Sequence, residues 1–245
     1  KTRIRKICSL IALGAFLWVL PSVGLGQCNV SIGATSYPSI NAAVSAAVLG
    51  DTINVSGTCT EIVFILANKS GITLNGGGTA TIICQSPMPC ATTGNVAILG
   101  KTITIRGFNI TGGMAAIQIV QGASATINGN NIYGTQKNGM LVAQGSYATI
   151  INNTIHDTGQ DPNYTNTTGI EVSDNASAWI GVSSIANTVA SPNFIRNNHN
   201  GIRVRRSASA YIVGNEISSN TDDGIKVLEG SVADIAGNII DGNGQ

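Results

Sequence analysis

Several residue classes are scarce in this sequence. Charged residues make up 10% of its 245 positions and aromatic residues 4%, and there are only two histidines. No glycine-rich phosphate loop and no Cys-x-x-Cys pair are present, which disfavours a nucleotide-using or redox enzyme. Glycine, by contrast, occurs 30 times. This composition suits thin coils, which have room for small core residues and need glycine at tight turns.

The first 26 residues have the pattern of a secretory signal peptide. Lys1–Lys6 carries four positive charges, Ile7–Leu20 is apolar, and small residues precede position 27. The apolar stretch is shorter than the roughly 20 residues that a membrane-spanning helix needs. We therefore expect removal of residues 1–26 and a mature chain without a membrane span, secreted or at the cell surface, in an extracellular or periplasmic location. A lipoprotein signal is the alternative, because Cys28 follows closely.

The remaining chain has no excess of positive charge. Four of the 13 basic residues lie in the predicted signal peptide, so the mature part has fewer basic residues than its 12 acidic ones. Proteins that bind nucleic acid need a basic surface to neutralise phosphates. We therefore expect no nucleic-acid partner.

Four cysteines remain in the mature chain, at Cys28, Cys59, Cys84 and Cys90. An even number in an oxidising compartment predicts disulfides. A bond between Cys28 and Cys59 would tie the N-terminal arm to the first strands, and Cys84 with Cys90 would close a short loop. A metal site is the competing interpretation, although these spacings match no zinc pattern.

A repeat of about 23 residues dominates the rest of the sequence. A Gly-Ile-x-Val motif recurs with its second position at Ile117, Met140, Ile170, Ile202 and Ile225. A second apolar position, which ends an Ala/Ser-rich run, recurs at Ile127, Ile150, Ile180, Ile212 and Ile235. Both series have intervals of 23, 30, 32 and 23 residues. One structural unit therefore repeats, and two of its copies contain longer loops.

Each unit has the pattern of three short strands, as in 224–228, 232–235 and 238–240. Alternating apolar and polar residues indicate strands with one buried face. No helical pattern of ten or more residues separates the units, which disfavours βαβ and leucine-rich repeat folds. The sequence therefore predicts an all-β, single-stranded right-handed parallel β-helix, a solenoid whose coils stack to bury their apolar faces. Asparagines are expected at its corners, at Asn131, Asn153, Asn193, Asn215 and Asn238.

The two ends of the predicted β-helix domain, residues 27–245, differ. An amphipathic segment at about 38–48 predicts a short N-terminal capping helix, placed before the first strand to cover the open edge of the first coil. At the other end, the chain stops at Gln245 within a repeat and no cap is visible. The chain also begins without Met. We therefore expect that the sequence is a fragment of a longer protein and that its C-terminus is truncated.

Four segments resemble the opening of the pectin-lyase-like right-handed β-helix superfamily: 37–44, 50–57, 60–61 and 71–78. The later Gly-Ile-x-Val and Asn-x-Ile coils resemble its generic repeats, so the resemblance covers about residues 37–245. It implies the fold but leaves the chemistry open, because the superfamily includes polysaccharide lyases, glycoside hydrolases, esterases, epimerases, adhesins and tailspikes. The segment 220–224 is similar to the Asn-Thr-Asp element of polygalacturonases, whose other elements are missing here. No catalytic residue is carried over.

Charged residues recur at one point of successive coils. Equivalent residues lie about 4.8 Å apart in a parallel stack. One outward column on the first strand of each unit therefore contains Gln118, Leu141, Glu171, Arg203 and Lys226. The turns and strand ends beside it add His199, Asp222, Asp223, Arg205 and Arg206. This patch predicts either a site for an acidic polysaccharide or a surface salt-bridge ladder.

Two reactions suit such a patch. In β-elimination, a cationic side chain or a Ca²⁺ ion held by Asp222 and Asp223 would neutralise the uronate carboxylate. A base such as Lys226, Arg203 or His199 would then remove the neighbouring proton. In hydrolysis, paired carboxylates would act on the glycosidic bond. Ca²⁺ is the one cofactor that this chemistry suggests.

The first enlarged loop, 156–168, leads into the strand that carries Glu171, and loops grown out of a repeat often line a binding cleft. We therefore expect His156, Asp157 and Tyr164 to contact substrate together with Glu171 and Arg205; a neutral surface insertion is the alternative. The sequence thus indicates an exported β-helix protein that binds or cleaves an extracellular, acidic polysaccharide as a lyase or hydrolase. The rival class is a non-catalytic surface, adhesive or structural β-helix protein. The oligomeric state stays open.

Overall fold

The computed structural model describes residues 26–84, 94–159, 161–184 and 189–244. The predicted signal peptide, except for Gly26, lies outside these ranges. Within them, no helix has the length and hydrophobicity that crossing a membrane requires.

The elements follow one another in two groups. The N-terminal group is β1 (Asn29–Ile32), β2 (Thr35–Tyr37), α1 (Ile40–Ala46), β3 (Thr52–Ser56), β4 (Thr58–Thr60), β5 (Val63–Ile65), β6 (Thr73–Cys84), β7 (Gly94–Ile98) and β8 (Ile103–Gly112). The coils that follow contain β9 (Ala115–Ile119), β10 (Ser124–Asn128), β11 (Asn131–Tyr133), β12 (Asn138–Val142), β13 (Tyr147–Ile151), β14 (Thr154–His156), β15 (Thr168–Val172), β16 (Ser177–Ile180), β17 (Phe194–Arg196), β18 (Asn200–Val204), β19 (Ser209–Val213), β20 (Glu216–Ser218), β21 (Ile225–Val227), β22 (Val232–Ala236) and β23 (Ile239–Asp241).

Parallel strands stack into three faces, which confirms the predicted right-handed parallel β-helix. The first face is a seven-stranded sheet in the order β21-β18-β15-β12-β9-β7-β5. The second face contains β10, β13, β16, β19 and β22, and the third contains β11, β14, β17, β20 and β23. The long strand β8 pairs with both β10 and β11 and joins these two faces. Each coil therefore crosses every face once before the next coil begins.

The two apolar columns predicted from the sequence are in register. On the first face, Met140 pairs with Ile117 on one side and Ile170 on the other, and the column continues to Ile225. The second-face column, which begins at Ile127, pairs in the same way. Ile117, Met140 and Ile170 have no exposed surface. Burial of each such side chain stabilises the fold by about 1.5–3 kcal/mol. The buried residues of successive coils form one continuous core.

An asparagine ladder fills the corner between the second and third faces. Asn193 Oδ1 accepts a hydrogen bond from the backbone N–H of Asn153 at 2.9 Å, and Asn193 Nδ2 donates to Asn215 Oδ1 at 2.8 Å. The expectation that Asn131 occupies this corner is wrong by one position. Asn130 is the buried ladder residue, and Asn131 begins β11 with its side chain only half-buried. The ladder joins neighbouring coils through side chains as well as backbone.

A second ladder, which the sequence pattern did not predict, lies at the turn between the third face and the next first-face strand. Asn198 Nδ2 donates to Asn220 Oδ1 at 3.1 Å, and Asn220 Nδ2 donates to Asn243 Oδ1 at 2.8 Å. In the preceding coil, the Thr158 hydroxyl donates to Asn198 Oδ1 at 2.8 Å. These bonds fix the turns that lead into the first face.

The N-terminal end is covered by a helix and an antiparallel strand pair. Strand β1 pairs with both β2 and β3, so the expectation that the helix precedes the first strand is wrong. The Ser39 hydroxyl caps α1 by accepting from the backbone N–H of Ala42 at 3.0 Å. The Glu61 carboxylate accepts from the backbone N–H groups of Ile40 and Asn41 at 2.8 and 3.1 Å. Both groups satisfy amides that lack partners within the helix.

The predicted disulfide between Cys28 and Cys59 is confirmed, and it ties the N-terminal arm to β4. Cys84, at the end of β6, is also disulfide-bonded. Its expected partner, Cys90, lies outside the described residues.

Candidate functional site

Charged side chains from successive coils form a column on the first face. Strands β12, β15, β18 and β21 lie side by side. Their register aligns Leu141 with Glu171, Glu171 with Arg203, and Arg203 with Lys226. These positions alternate with core residues, so their side chains leave the sheet on the side opposite the core. The stack therefore brings three of the predicted site residues together.

Glu171 is the centre of a buried ion cluster. Its Oε2 lies 2.7 Å from Nη2 of Arg203, and its Oε1 lies 2.7 Å from Nη2 of Arg205. Asn138 Nδ2 adds a 3.3 Å hydrogen bond to Oε2. The side chains of Glu171, Arg203 and Arg205 are 2%, 7% and 18% exposed. Glu171 and Arg203 therefore form a buried ion pair with Arg205 at its edge, and not the exposed salt-bridge ladder that was the alternative expectation.

Burial and the two arginines have opposite effects on Glu171. Burial raises the pKa of its carboxyl group, whereas attraction and hydrogen bonds from Arg203 and Arg205 lower it. The arginines prevail and hold the pKa of Glu171 below its ordinary value. Glu171 is therefore ionised at neutral pH and reaches a ligand only through the arginines that it positions.

Asp222 and Asp223 lie in the turn before β21, and both contact Lys226. The Lys226 ammonium forms a close ion pair with Asp223 and lies 3.3 Å from Asp222 Oδ2. His199 Nδ1 lies 3.8 Å from Asp222 Oδ2, so these four residues share one end of the column. The hydrogen bond to Asp223 raises the pKa of Lys226, desolvation lowers it, and the hydrogen bond and charge of Asp222 add to the rise, so the pKa lies above its ordinary value. Lys226 is therefore a protonated cation at neutral pH.

A groove of about 280 Å³ opens beside this column. We call it the charged groove, and it is lined by Lys137, Thr165, Asn166, Arg203, Arg205, Lys226, Leu228 and Glu229. Thr165 and Asn166 belong to the first enlarged loop, so that loop forms one wall. Tyr164 in the same loop lies 5.7 Å, ring centroid to Nζ, from Lys137. The loop thus contributes both polar groups and an aromatic ring near the cationic side chains.

His156 and Asp157 lie away from the charged groove. His156 ends β14 on the third face, where its ring stacks on Tyr133 with centroids 5.4 Å apart. His156 Nδ1 lies 2.6 Å from Asp157 Oδ2, and its Nε2 lies 3.2 Å from Asn131 Oδ1. The expectation that these residues overhang the charged column is wrong, because the loop reaches the first face only after them.

An exposed salt-bridge ladder exists two positions beyond the first-face strands. Arg206 lies between Asp174 and Glu229, with nitrogen–oxygen distances of 3.4 and 3.5 Å. All three side chains are more than a third exposed. Glu229 also lines the charged groove, as does Leu228, and neither was expected there. The interval from Arg206 to Glu229 is 23 residues, equal to the repeat length, so the sequence contains the information that aligns these two residues.

One group of potential metal ligands lies close together in the described part of the chain: Cys28, Cys59 and Glu61. The two sulfur atoms form a disulfide and therefore offer no thiolate. The Glu61 carboxylate is bound to the amides of α1. This group is consequently a structural junction between the N-terminal arm and the first coil.

Comparison with known proteins agrees with this architecture. A protein-family model described as "Periplasmic copper-binding protein (NosD)" matches residues 44–245. Searches among curated proteins and among solved structures each give no match. The matched range includes all of the coils and the charged groove, and the periplasmic description confirms the expected location outside the cytoplasm. The chain therefore belongs to the NosD family of exported β-helix proteins.

Proposed function

We propose that the protein binds an acidic polysaccharide through the charged groove. The observation that carries this proposal is that four cationic side chains, Lys137, Arg203, Arg205 and Lys226, line one groove. Three of them are ion-paired, the two arginines with Glu171 and Lys226 with Asp222 and Asp223. Lys137 and the N–H groups that these pairs leave unused, such as Arg203 Nε, are the donors for a ligand. Guanidinium and ammonium groups bind carboxylates through charge-assisted hydrogen bonds. The resemblance to pectin-lyase-like β-helix proteins supports a polysaccharide as the source of those carboxylates.

Two of the three expected bases, Lys226 and Arg203, are unsuited to cleavage. Lys226 is shared between Asp222 and Asp223 and its pKa is raised, so it is a poor base. Arg203 is buried and paired with Glu171. A general base must reach the substrate proton in its deprotonated form, and neither residue meets that condition. The same contacts leave both aspartates paired with a cation, which disfavours Ca²⁺ binding between them.

Copper binding, which the family description names, has no cluster of His, Cys, Asp or Glu ligands among the described residues beyond the group of Cys28, Cys59 and Glu61. Copper prefers imidazole, thiolate and thioether ligands. His156 is bonded to Asp157 and Asn131 on the third face, whereas His199 precedes the first-face strand β18. The thiols of Cys28 and Cys59 are consumed in a disulfide. These residues do not fit a copper centre, and the proposal assigns them none.

The test is a binding and turnover assay on the predicted mature chain, residues 27–245. Calorimetry would measure binding of oligomers of polygalacturonate, alginate and hyaluronan, and absorbance and reducing-end assays would measure cleavage. Lys137→Gln is the informative variant, because its one described partner is the Tyr164 ring. Arg196→Gln is the matched control, since it removes the same charge from an exposed position on the third face.

We expect at least one acidic oligomer to bind without turnover, with Kd raised about three- to tenfold in Lys137→Gln and unchanged in Arg196→Gln. Equal losses in the two variants would mean that only net charge matters and would refute a localised site. Absence of binding to every acidic oligomer would leave the rival class, a structural or adhesive β-helix. Cleavage that depends on Asp222 or Lys226 would overturn the binding-only assignment.

A further inference from the structure

A second groove lies on a different face of the β-helix. Strands β13, β16, β19 and β22 are neighbours on the second face. Their register aligns Thr149 with Trp179, Trp179 with Tyr211, and Tyr211 with Asp234. Tyr147 lies two residues before Thr149 and therefore on the same side of β13. Three aromatic rings and a carboxylate thus follow one another along the long axis.

These residues border a groove of about 440 Å³, which we call the aromatic groove. Its wall also includes the hydroxyls of Ser177 and Ser209. Tyr147 and Trp179 meet edge to face, with ring centroids 5.6 Å apart and an interplanar angle of 85°. The three rings are half-buried, and Asp234 is exposed. The groove therefore combines apolar ring surface with hydroxyl and carboxylate groups.

Structural packing explains only part of this arrangement. Aromatic pairs on adjacent strands stabilise a sheet, which accounts for the contact between Tyr147 and Trp179. It does not account for the open volume that Tyr211 and Asp234 border beside them. In a chain with 4% aromatic residues, three rings on one outward face are a concentration that the core does not require. Half-exposed Trp and Tyr beside convergent polar groups are typical of ligand-binding surfaces.

We propose that the aromatic groove binds a neutral oligosaccharide. The C–H faces of uncharged pyranose rings would pack on Trp179 and Tyr211, and sugar hydroxyls would donate to Asp234. The Asp234 carboxylate repels uronates, so this ligand class differs from that of the charged groove. Coils repeat about every 4.8 Å, so a groove that spans four coils suits an extended oligosaccharide better than a monosaccharide. The proposal is independent of the charged groove, because no lining residue is shared.

The chain supplies its own reporter for this site. Its two tryptophans are Trp18, in the predicted signal peptide, and Trp179, so residues 27–245 contain one tryptophan. Emission of Trp179 would be followed while residues 27–245 are titrated with cellohexaose, xylohexaose, mannohexaose and hexagalacturonate. We expect a saturable change with at least one neutral hexasaccharide and a much weaker response to hexagalacturonate. Asp234→Asn is expected to reduce this discrimination against the acidic oligomer.

Tyr211→Ala tests the ring platform, and Tyr133→Ala is its matched control on the third face. We expect the Kd for the neutral oligosaccharide to rise about tenfold in Tyr211→Ala and to stay within about twofold in Tyr133→Ala. Thermal unfolding would be measured for both, and Tyr211→Leu would replace a variant that fails to fold. Equal affinities in the two variants, or no saturable response and no calorimetric heat with any neutral hexasaccharide, would overturn the proposal. Acidic binding at the charged groove would be unaffected by either result.

Discussion

Replacement of Glu171 by Gln tests whether the buried ion cluster stabilises the first face. The substitution keeps the size of the side chain and one of its two acceptor oxygens, but it removes the charge and replaces the other oxygen by an NH2 donor. Arg203 and Arg205 would then be two cations without a carboxylate between them, and Arg203 is 7% exposed. The Glu229→Gln variant is the matched control, because the same chemical change falls on a side chain that is 46% exposed.

The expected cost follows from burial. Removing one partner of a buried pair typically costs about 3–5 kcal/mol, because the other charge is left without compensation. Arg205 is 18% exposed and keeps part of its hydration, and the carboxamide oxygen of the variant would still accept hydrogen bonds. We therefore expect the free energy of unfolding to fall by about 2–4 kcal/mol in Glu171→Gln. The change in Glu229→Gln should stay within about 0.5 kcal/mol, as for other surface positions.

The stabilisation by Glu171 should depend on pH in a defined direction. The pKa of Glu171 is lower in the folded protein than its ordinary value of about 4.3. A lowered pKa contributes stability that is fully present above the ordinary value and is lost as pH falls through the folded value. Urea unfolding, followed by circular dichroism, should therefore show a large difference between wild type and Glu171→Gln at pH 7 that shrinks below about pH 4. Equal stability at pH 7, or a difference that does not change with pH, would refute the reasoning.

Two further predictions concern the corner and the cap. Asn193→Ala removes a buried side chain that forms hydrogen bonds with both neighbouring coils, and should lower the free energy of unfolding by about 2–5 kcal/mol. The control is Asn128→Ala, which loses one exposed hydrogen bond and should lower that free energy by less than about 0.5 kcal/mol. Equal costs in urea titrations would contradict the ladder's role. Glu61→Ala leaves the N–H groups of Ile40 and Asn41 without their acceptor and should lower the free energy of unfolding by about 1–2 kcal/mol. Hydrogen exchange at these two amides should become faster, and a rate equal to that of wild type would contradict the capping role of Glu61.

The repeat pattern predicts most of the fold, because identical positions in successive coils must align for the core to be continuous. The register of Ile117 with Met140 follows directly from their 23-residue interval. The same interval, counted back from Asn153, gives Asn130, which is the buried ladder residue. The expectation of Asn131 therefore misaligned one coil, and the repeat itself indicates the correct residue. It does not predict the hairpin of β1 and β2, because that hairpin lies outside the repeat and pairs antiparallel.

The candidate site is predictable in position but not in environment. Spacing places Glu171 beside Arg203, and the register agrees. Burial of this pair depends on side-chain conformation and on the second arginine, Arg205, neither of which periodicity encodes. The path of the first enlarged loop is also beyond the pattern, because a loop that departs from the repeat has no equivalent in other coils. The sequence therefore assigns His156 to the wrong face.

The proposed recognition of uronate carboxylates is tested most directly by one comparison of affinities. Isothermal calorimetry would measure Kd for hexagalacturonate and for its fully methyl-esterified form, which has the same sugar backbone without charge. If the cationic side chains of the charged groove bind carboxylates, the ester should bind about tenfold more weakly or worse, and the difference should shrink as salt is raised. Equal affinity for the acid and the ester would contradict the proposal.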